Sequence, residues 1–142
     1  SVATEAGQIR VGGHMVIKGK PCKVINVSTS KTGKHGHAKC NFTAVDIFTD
    51  KKYEDIVPST HTAHVPVVVR KEYTLIDISE DGFLTMMEDN GDTREDLKLP
   101  TQPDGYDRTL QKDFDEGKEL VLMVVSAMGT EQVMSHKEVT AQ

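Results

Sequence analysis

The sequence lacks any apolar run that approaches the ~18 residues needed for a membrane-spanning helix, and its first residues show no secretory hydrophobic segment. It has only two cysteines, Cys22 and Cys40, and they form no CxxC pair. Two isolated thiols favour a reducing compartment. We therefore expect a cytoplasmic protein without a membrane span.

Acidic side chains are missing from residues 6–45, a stretch that contains seven Lys and Arg residues. The whole chain has a net charge of −5, but residues 1–70 carry ten Lys and Arg against five Asp and Glu, which gives +5. Residues 71–142 carry seven against seventeen, which gives −10. A segment of one sign attracts a polyanion, so the basic half is the candidate for RNA binding. The acidic half would be repelled by nucleic acid.

In the first half, short runs of β-branched, apolar and aromatic residues predict strands. They cover 14–17, 22–27, 38–48 and 53–57. Residues 28–39 would then form an unusually long connection between the second and third of these strands, which we interpret as a projecting arm. The pattern indicates a small β-barrel.

The second half also reads as strands, together with one helix in 107–118. In that helix Asp107 would cap the start, Leu110 and Phe114 would share a face, and Gly117 would occupy the C′ position. Phe83 and Phe114 are predicted core residues, and 131–139 fits either a last strand or a frayed helix. These features favour an OB-like barrel, with a domain boundary that gives units 1–67 and 68–142. The predicted strands are 73–78, 83–87, 93–99 and 119–128.

Lys34 is the candidate functional residue, because Gly33 and Gly36 would leave it on a slim loop that presents an amine. The plain alternative is a solvated lysine at a hairpin tip. A phosphate-binding GxxxxGK[ST] loop is excluded, since Ser28 stands where glycine is needed and His35 where Ser or Thr is needed.

A zinc site is a weaker hypothesis. Its ligands would come from His35, His37 and Cys40, with His61 and His64, but the spacing is atypical and three nearby lysines oppose a dication. No group of residues has the signature of an enzyme active site.

The stretch STSKTGKHGHAK (28–39), followed by DIFTDKKYEDIVPSTH (46–61), closely resembles the eukaryotic translation initiation factor 5A family, whose members contain hypusine. The resemblance continues through GGHMVIKGKPCKV, REDLKLP and LVLMVVSAM, so it covers nearly the whole chain. It implies a mainly β fold, with an N-terminal SH3-like barrel in 1–67 and a C-terminal OB fold with one short helix in 68–142. It also implies a protein that is not an enzyme.

By position in the motif, the resemblance implies that Lys34 receives an aminobutyl group from spermidine through deoxyhypusine synthase. Deoxyhypusine hydroxylase then completes hypusine, and no other cofactor or metal is implied. The partner is the ribosome, where the modified side chain would reach rRNA and the P-site tRNA and promote peptide bonds at stalled sites such as consecutive prolines, besides supporting termination. The residues expected to support modification and RNA contact are Lys31, Thr32, Gly33, His35, Gly36, His37 and Lys39.

Two rival hypotheses stay open at this point. One is a general RNA-binding chaperone whose loop lysines act only as charges, and the other is the zinc-dependent protein. The sequence also departs from the family pattern in AMGTEQVMSHKEV (127–139), which has an extra glycine, and in HTAHVPVVVRKEY (61–73).

Overall fold

The computed structural model describes residues 1–31 and 37–139, and divides the chain into two compact units, Ser1–Val67 and Val68–Gln142. Strands dominate both units, and the described residues contain one α-helix. The predicted mainly β fold is therefore confirmed. No helix in the described ranges is both long and apolar enough to cross a membrane.

The first unit has two antiparallel sheets around one core. The sheet orders are β2-β3-β4-β5 and β1-β6. Alternating residues such as Met15, Cys22, Val24 and Phe42 point into the core and are at most 1% exposed, which explains the period-2 apolar pattern of these strands. A 3-10 turn, Ala6–Gln8, follows the first strand. The strands are β1 (Val2–Glu5), β2 (His14–Ile17), β3 (Lys20–Lys31), β4 (Ala38–Asp46), β5 (Lys52–Pro58) and β6 (Thr62–Val65).

The loop predicted over 28–39 was too long. Strand β3 continues to Lys31 and β4 begins at Ala38, so only 32–37 lies between them. Ser28 and Lys31 are cross-strand partners of Asn41 and Ala38 in the same ladder. The polar composition of 28–31 predicted a loop because these β3 positions are exposed, and an exposed strand can carry the same polar residues as a loop.

The second unit is a single antiparallel sheet of five strands with one helix. The strand order is β11-β10-β7-β8-β9, and Leu84, Met86, Leu110 and Leu122 are fully buried in its core. The elements are β7 (Val69–Ile78), β8 (Phe83–Met87), β9 (Thr93–Lys98), α1 (Tyr106–Asp115), β10 (Leu120–Ala127) and β11 (Thr130–Glu138).

The helix begins two residues earlier than a cap at Asp107 predicts, and its N-cap is a different residue. Gly105, at φ 83°, occupies the N-cap position, while Asp107 lies in the first turn, where its negative charge suits the helix dipole. The C-terminal prediction is confirmed, because Gly117 has a φ of 77° and its N–H donates to the Phe114 carbonyl at 3.0 Å.

The open choice for 131–139 is resolved as strand, since β11 pairs with β10 along its length. The prediction of Phe83 as core was wrong. Leu84 and Met86 take the inward positions of β8, so Phe83 faces the other way, with the Lys98 Nζ 5.0 Å from its ring centroid. Phe114 is partly buried against the core, as expected.

Candidate nucleic-acid interface

The candidate site lies where the β3–β4 hairpin ends. The last cross-strand pair is Lys31 with Ala38, and β5 supports the same end because Lys39 pairs with Pro58. The Ser59 N–H also donates to the Ala38 carbonyl at 2.9 Å. The hairpin end is thus a three-stranded, hydrogen-bonded base for the chain that continues beyond Lys31.

Asn41 strengthens this base, and sequence reasoning missed it. Its Nδ2 donates to the Ser28 carbonyl at 3.3 Å and to the Ser30 Oγ at 3.4 Å. One amide therefore joins β4 to two residues of β3. The sequence holds no signal for this contact, because it depends on a register that brings residues eleven and thirteen positions apart together.

The predicted site residues divide into two sets. Lys31, His37 and Lys39 are exposed at the hairpin end. Lys34 itself lies outside the described residues, in the sequence between Lys31 and His37. Four more of the predicted site residues lie outside the described residues in the same way: Thr32, Gly33, His35 and Gly36.

The lysines and arginines of the two units differ in whether they form ion pairs with carboxylates. Among the described residues of the first unit, no lysine or arginine has a carboxylate oxygen within 4.0 Å. Five cations of the second unit are paired in this way: Lys71, Arg94, Lys112, Lys118 and Lys137. The positive charge around the hairpin end is therefore available to an outside anion, which is the condition for contact with RNA phosphates.

Cys40, one of the proposed zinc ligands, is buried in the core. Cys40 is 4% exposed and belongs to the hydrophobic core, whereas His37, His61 and His64 are exposed. The part of the chain that the structure describes contains no group of three His, Cys, Asp or Glu side chains arranged to hold a metal ion. Cys40 is therefore not available as a ligand beside His37, and His35 lies outside the described residues.

Two family models match the chain. Residues 1–61 match the model described as "Translation initiation factor 5A-like, N-terminal", and residues 67–137 match "Eukaryotic elongation factor 5A hypusine, DNA-binding OB fold". The second match confirms the OB fold predicted for the C-terminal unit.

Curated relatives and solved structures agree with these models. Eukaryotic translation initiation factor 5A-3 of Arabidopsis thaliana is 62% identical over 135 residues, covering 95% of this chain and 85% of that protein. A translation initiation factor 5A family protein of Naegleria fowleri has a TM-score of 0.90 at 48% identity, covering 96% of this chain and 97% of that one. The corresponding factor of Methanococcus jannaschii has a TM-score of 0.71 at 25% identity, covering 96% and 94%.

Proposed function

The chain belongs to the eukaryotic translation initiation factor 5A family, and from this premise we propose that it acts on the ribosome beside the P-site tRNA through a hypusine formed on Lys34. It is a translation factor and not an enzyme. On the ribosome it promotes peptide bond formation at stalled sequences such as consecutive prolines, and it supports termination. Its place of action is the cytoplasm.

The proposed modification extends Lys34. Deoxyhypusine synthase transfers the aminobutyl group of spermidine to the Lys34 Nζ, which breaks a C–N bond of spermidine and releases the remaining diaminopropane. Deoxyhypusine hydroxylase then converts one C–H of the new chain to C–OH, with molecular oxygen as the oxidant. The product is longer than lysine and has a second amine, so it carries hydrogen-bond donors to a position where lysine itself ends.

One observation supports this proposal most strongly. The hairpin end that leads to Lys34 is a hydrogen-bonded three-stranded base, and its exposed cations Lys31 and Lys39 have no carboxylate partner among the described residues. A firm base with free positive charge suits a side chain that must hold an RNA end in a fixed position. The peptidyl transfer itself belongs to the ribosome, so this protein contributes positioning and no chemical step.

The substitution Lys34→Arg tests the proposal. Arginine keeps the positive charge but does not accept the aminobutyl group, so we expect loss of stimulation of polyproline synthesis in reconstituted translation. Lys31→Arg is the matched control, because it makes the same chemical change three positions away and should leave the activity near wild type. Intact mass with fragmentation across 28–39 checks the modification in each protein.

A fully active Lys34→Arg protein would overturn the proposal. The chaperone alternative makes a different prediction, because loop charges would then be interchangeable. In that case Lys31→Gln and Lys39→Gln would impair function as much as a change at Lys34.

A further inference from the structure

We propose that the first unit carries a second RNA-phosphate site, formed by Lys18, Lys20, Lys51 and Lys52 at the end of its larger sheet opposite the Lys31–Ala38 end. These four residues are called the lysine-turn patch below. The inference rests on the proposed function in one respect, namely that the partner is RNA. It adds a surface that is separate from Lys34.

Two turns meet at this end of the sheet. The first joins β2 to β3, and the second joins β4 to β5. The Ile47 N–H donates to the Pro21 carbonyl at 3.0 Å, which fixes the first turn beside the second. The Asp46 N–H donates to the Lys51 carbonyl at 2.8 Å and closes the second turn. Backbone hydrogen bonds thus bring lysines from distant parts of the sequence together.

Lys18 is held in an unusual backbone conformation. Lys18 and Gly19 are the two residues of the β2–β3 turn, since Ile17 pairs with Lys20, and their φ angles are 51° and 74°. A two-residue turn with two positive φ angles favours Asn-Gly, and a lysine in the left-handed region costs roughly 1 kcal/mol. The turn therefore presents Lys18 at the end of the sheet, where its side chain is exposed.

The charge of the patch is not neutralised by its neighbours. All four lysines are exposed, and none has a carboxylate oxygen within 4.0 Å among the described residues. Of the carboxylates in the same two turns and their flanks, Asp50 and Glu54 are exposed and Asp46 is buried, so four exposed lysines share this end of the sheet with two exposed carboxylates and one buried one. Lys18, Lys51, Lys52, Tyr53 and Glu54 line a shallow depression there.

The surface chemistry of the patch favours phosphate over an apolar partner. Its aromatic residue, Tyr53, is half-buried, and the Lys51 Nζ lies 5.3 Å from the ring centroid. Lysines on a polar surface contact phosphates as point charges and do not read base sequence. We therefore infer that an RNA backbone occupies the patch without base specificity.

The patch contacts a different RNA segment from Lys34. Strand β3 runs from Lys20, in the patch, to Lys31, at the other end of the hairpin. Twelve strand residues at about 3.3 Å each place the two ends roughly 35 Å apart. At this separation the patch fixes the orientation of the first unit on RNA while the other end acts on its own target.

Salt-dependent RNA binding by the full chain tests the inference. Fluorescence anisotropy with a labelled, mixed-sequence RNA duplex gives the slope of log affinity against log salt. We expect K51Q/K52Q to reduce this slope by about 1 for each lysine removed, because each lost phosphate contact releases fewer counterions. The matched control is K98Q/K112Q in the second unit, which loses the same charge and should keep the wild-type slope.

Lys18→Asn provides a second variant that is expected to fold at least as well, because asparagine suits the left-handed conformation. It should also reduce the slope by about 1. The inference is overturned if the wild-type protein does not bind the duplex, if the patch variants keep its slope, or if K98Q/K112Q changes it equally. Tighter binding to polyglutamate than to the duplex would instead identify an acidic protein as the occupant and would also overturn it.

The outcome is distinguishable from failure of the proposed function. Hypusine formation on Lys34 should be normal in K51Q/K52Q, and mass spectrometry measures it directly. Loss of polyproline activity in Lys34→Arg with an unchanged RNA slope in K51Q/K52Q leaves the proposed function standing and refutes the patch. An active Lys34→Arg protein together with a reduced slope in K51Q/K52Q refutes the proposed function and supports the patch.

Discussion

Arg94 and Glu131 join the two outermost strands of the five-stranded sheet. Arg94 is in β9 and Glu131 is in β11, and two N–H groups of the guanidinium donate to the two carboxylate oxygens at 3.0 and 2.9 Å. The same guanidinium donates to Asp96 at 2.7 Å and to the Tyr73 hydroxyl at 3.1 Å. One side chain thus links the two edge strands of the sheet, so the sheet curves far enough to bring its edges together at this point.

Arg94→Met should destabilise the protein by about 1 kcal/mol, because Glu131 and the Tyr73 hydroxyl lose their guanidinium partner, whereas Asp96 is 62% exposed and water replaces its bonds. Arg94→Lys should restore only part of the loss, since an ammonium group cannot reproduce the paired geometry of a guanidinium. Thermal or urea unfolding measures the effect. The control is Lys112→Met, whose ion pair with Glu116 is 3.9 Å long and highly exposed, and which should change stability by less than about 0.5 kcal/mol. Equal effects of Arg94→Met and Lys112→Met would contradict this account of closure.

The contribution of Arg94 should depend on pH. Its hydrogen bonds lower the pKa of Glu131 below the ordinary value of 4.5, and they are also the main cause of the lowered pKa of Asp96. A carboxyl group with a depressed folded-state pKa adds stability above its unfolded pKa and loses it as the pH falls through the folded value. The stability difference between wild type and Arg94→Met should therefore be full at neutral pH and shrink below pH 4.5. A difference that is constant down to strongly acidic pH would refute this linkage.

The Tyr106 phenol should lose its proton at a higher pH than an ordinary tyrosine. Burial, and then the negative charge of Asp113, raises its pKa to about 12. Its hydroxyl lies 2.6 Å from His136 Nδ1, and His136 Nε2 lies 2.8 Å from an Asp113 oxygen; a proton on Nε2 satisfies both contacts. Because the folded-state pKa is raised, the phenol adds stability below its ordinary value of 10.0, and this is lost as the pH rises through about 12. Near-ultraviolet titration should show a step that Tyr106→Phe removes, whereas identical curves for the two proteins would contradict the prediction.

The sequence predicts elements whose pattern is local. Strands His14–Ile17 and Phe83–Met87 have the predicted bounds, because alternation over four or five residues is enough to define them. Strands β1 and β6 pair with each other across about sixty residues, and their short segments have no period that predicts the pairing. The side assigned to Phe83 was wrong for a related reason: an aromatic residue at a strand end suits either face, and the neighbours Leu84 and Met86 decide which.

The sequence predicts which residue types the candidate site contains, but not how the fold arranges them on a surface. The absence of carboxylates from 6–45 predicts a positive field, and the resemblance to the family makes Lys34 the candidate for modification. The lysine-turn patch could not be read from the sequence, because it needs the hydrogen bond between Ile47 and Pro21 to bring two turns together. The free state of these lysines is likewise a property of the fold, since lysines of the second unit such as Lys118 find carboxylates in space.

The extra glycine at 129 has a structural consequence that substitutions can test. Met128 and Gly129 are the two residues of the β10–β11 turn, since Ala127 pairs with Thr130, and their φ angles are 50° and 81°. A Cβ at Gly129 would meet no atom within 4 Å, so Gly129→Ala should lose about 1 kcal/mol through backbone strain alone. Met128→Asn should instead raise stability by about 0.5 kcal/mol, because asparagine tolerates the left-handed region and Met128 is 47% exposed. Urea unfolding compares both with Thr130→Ala, an exposed strand position without positive φ; changes of the same sign at 128 and 129 would show that backbone conformation does not govern this turn.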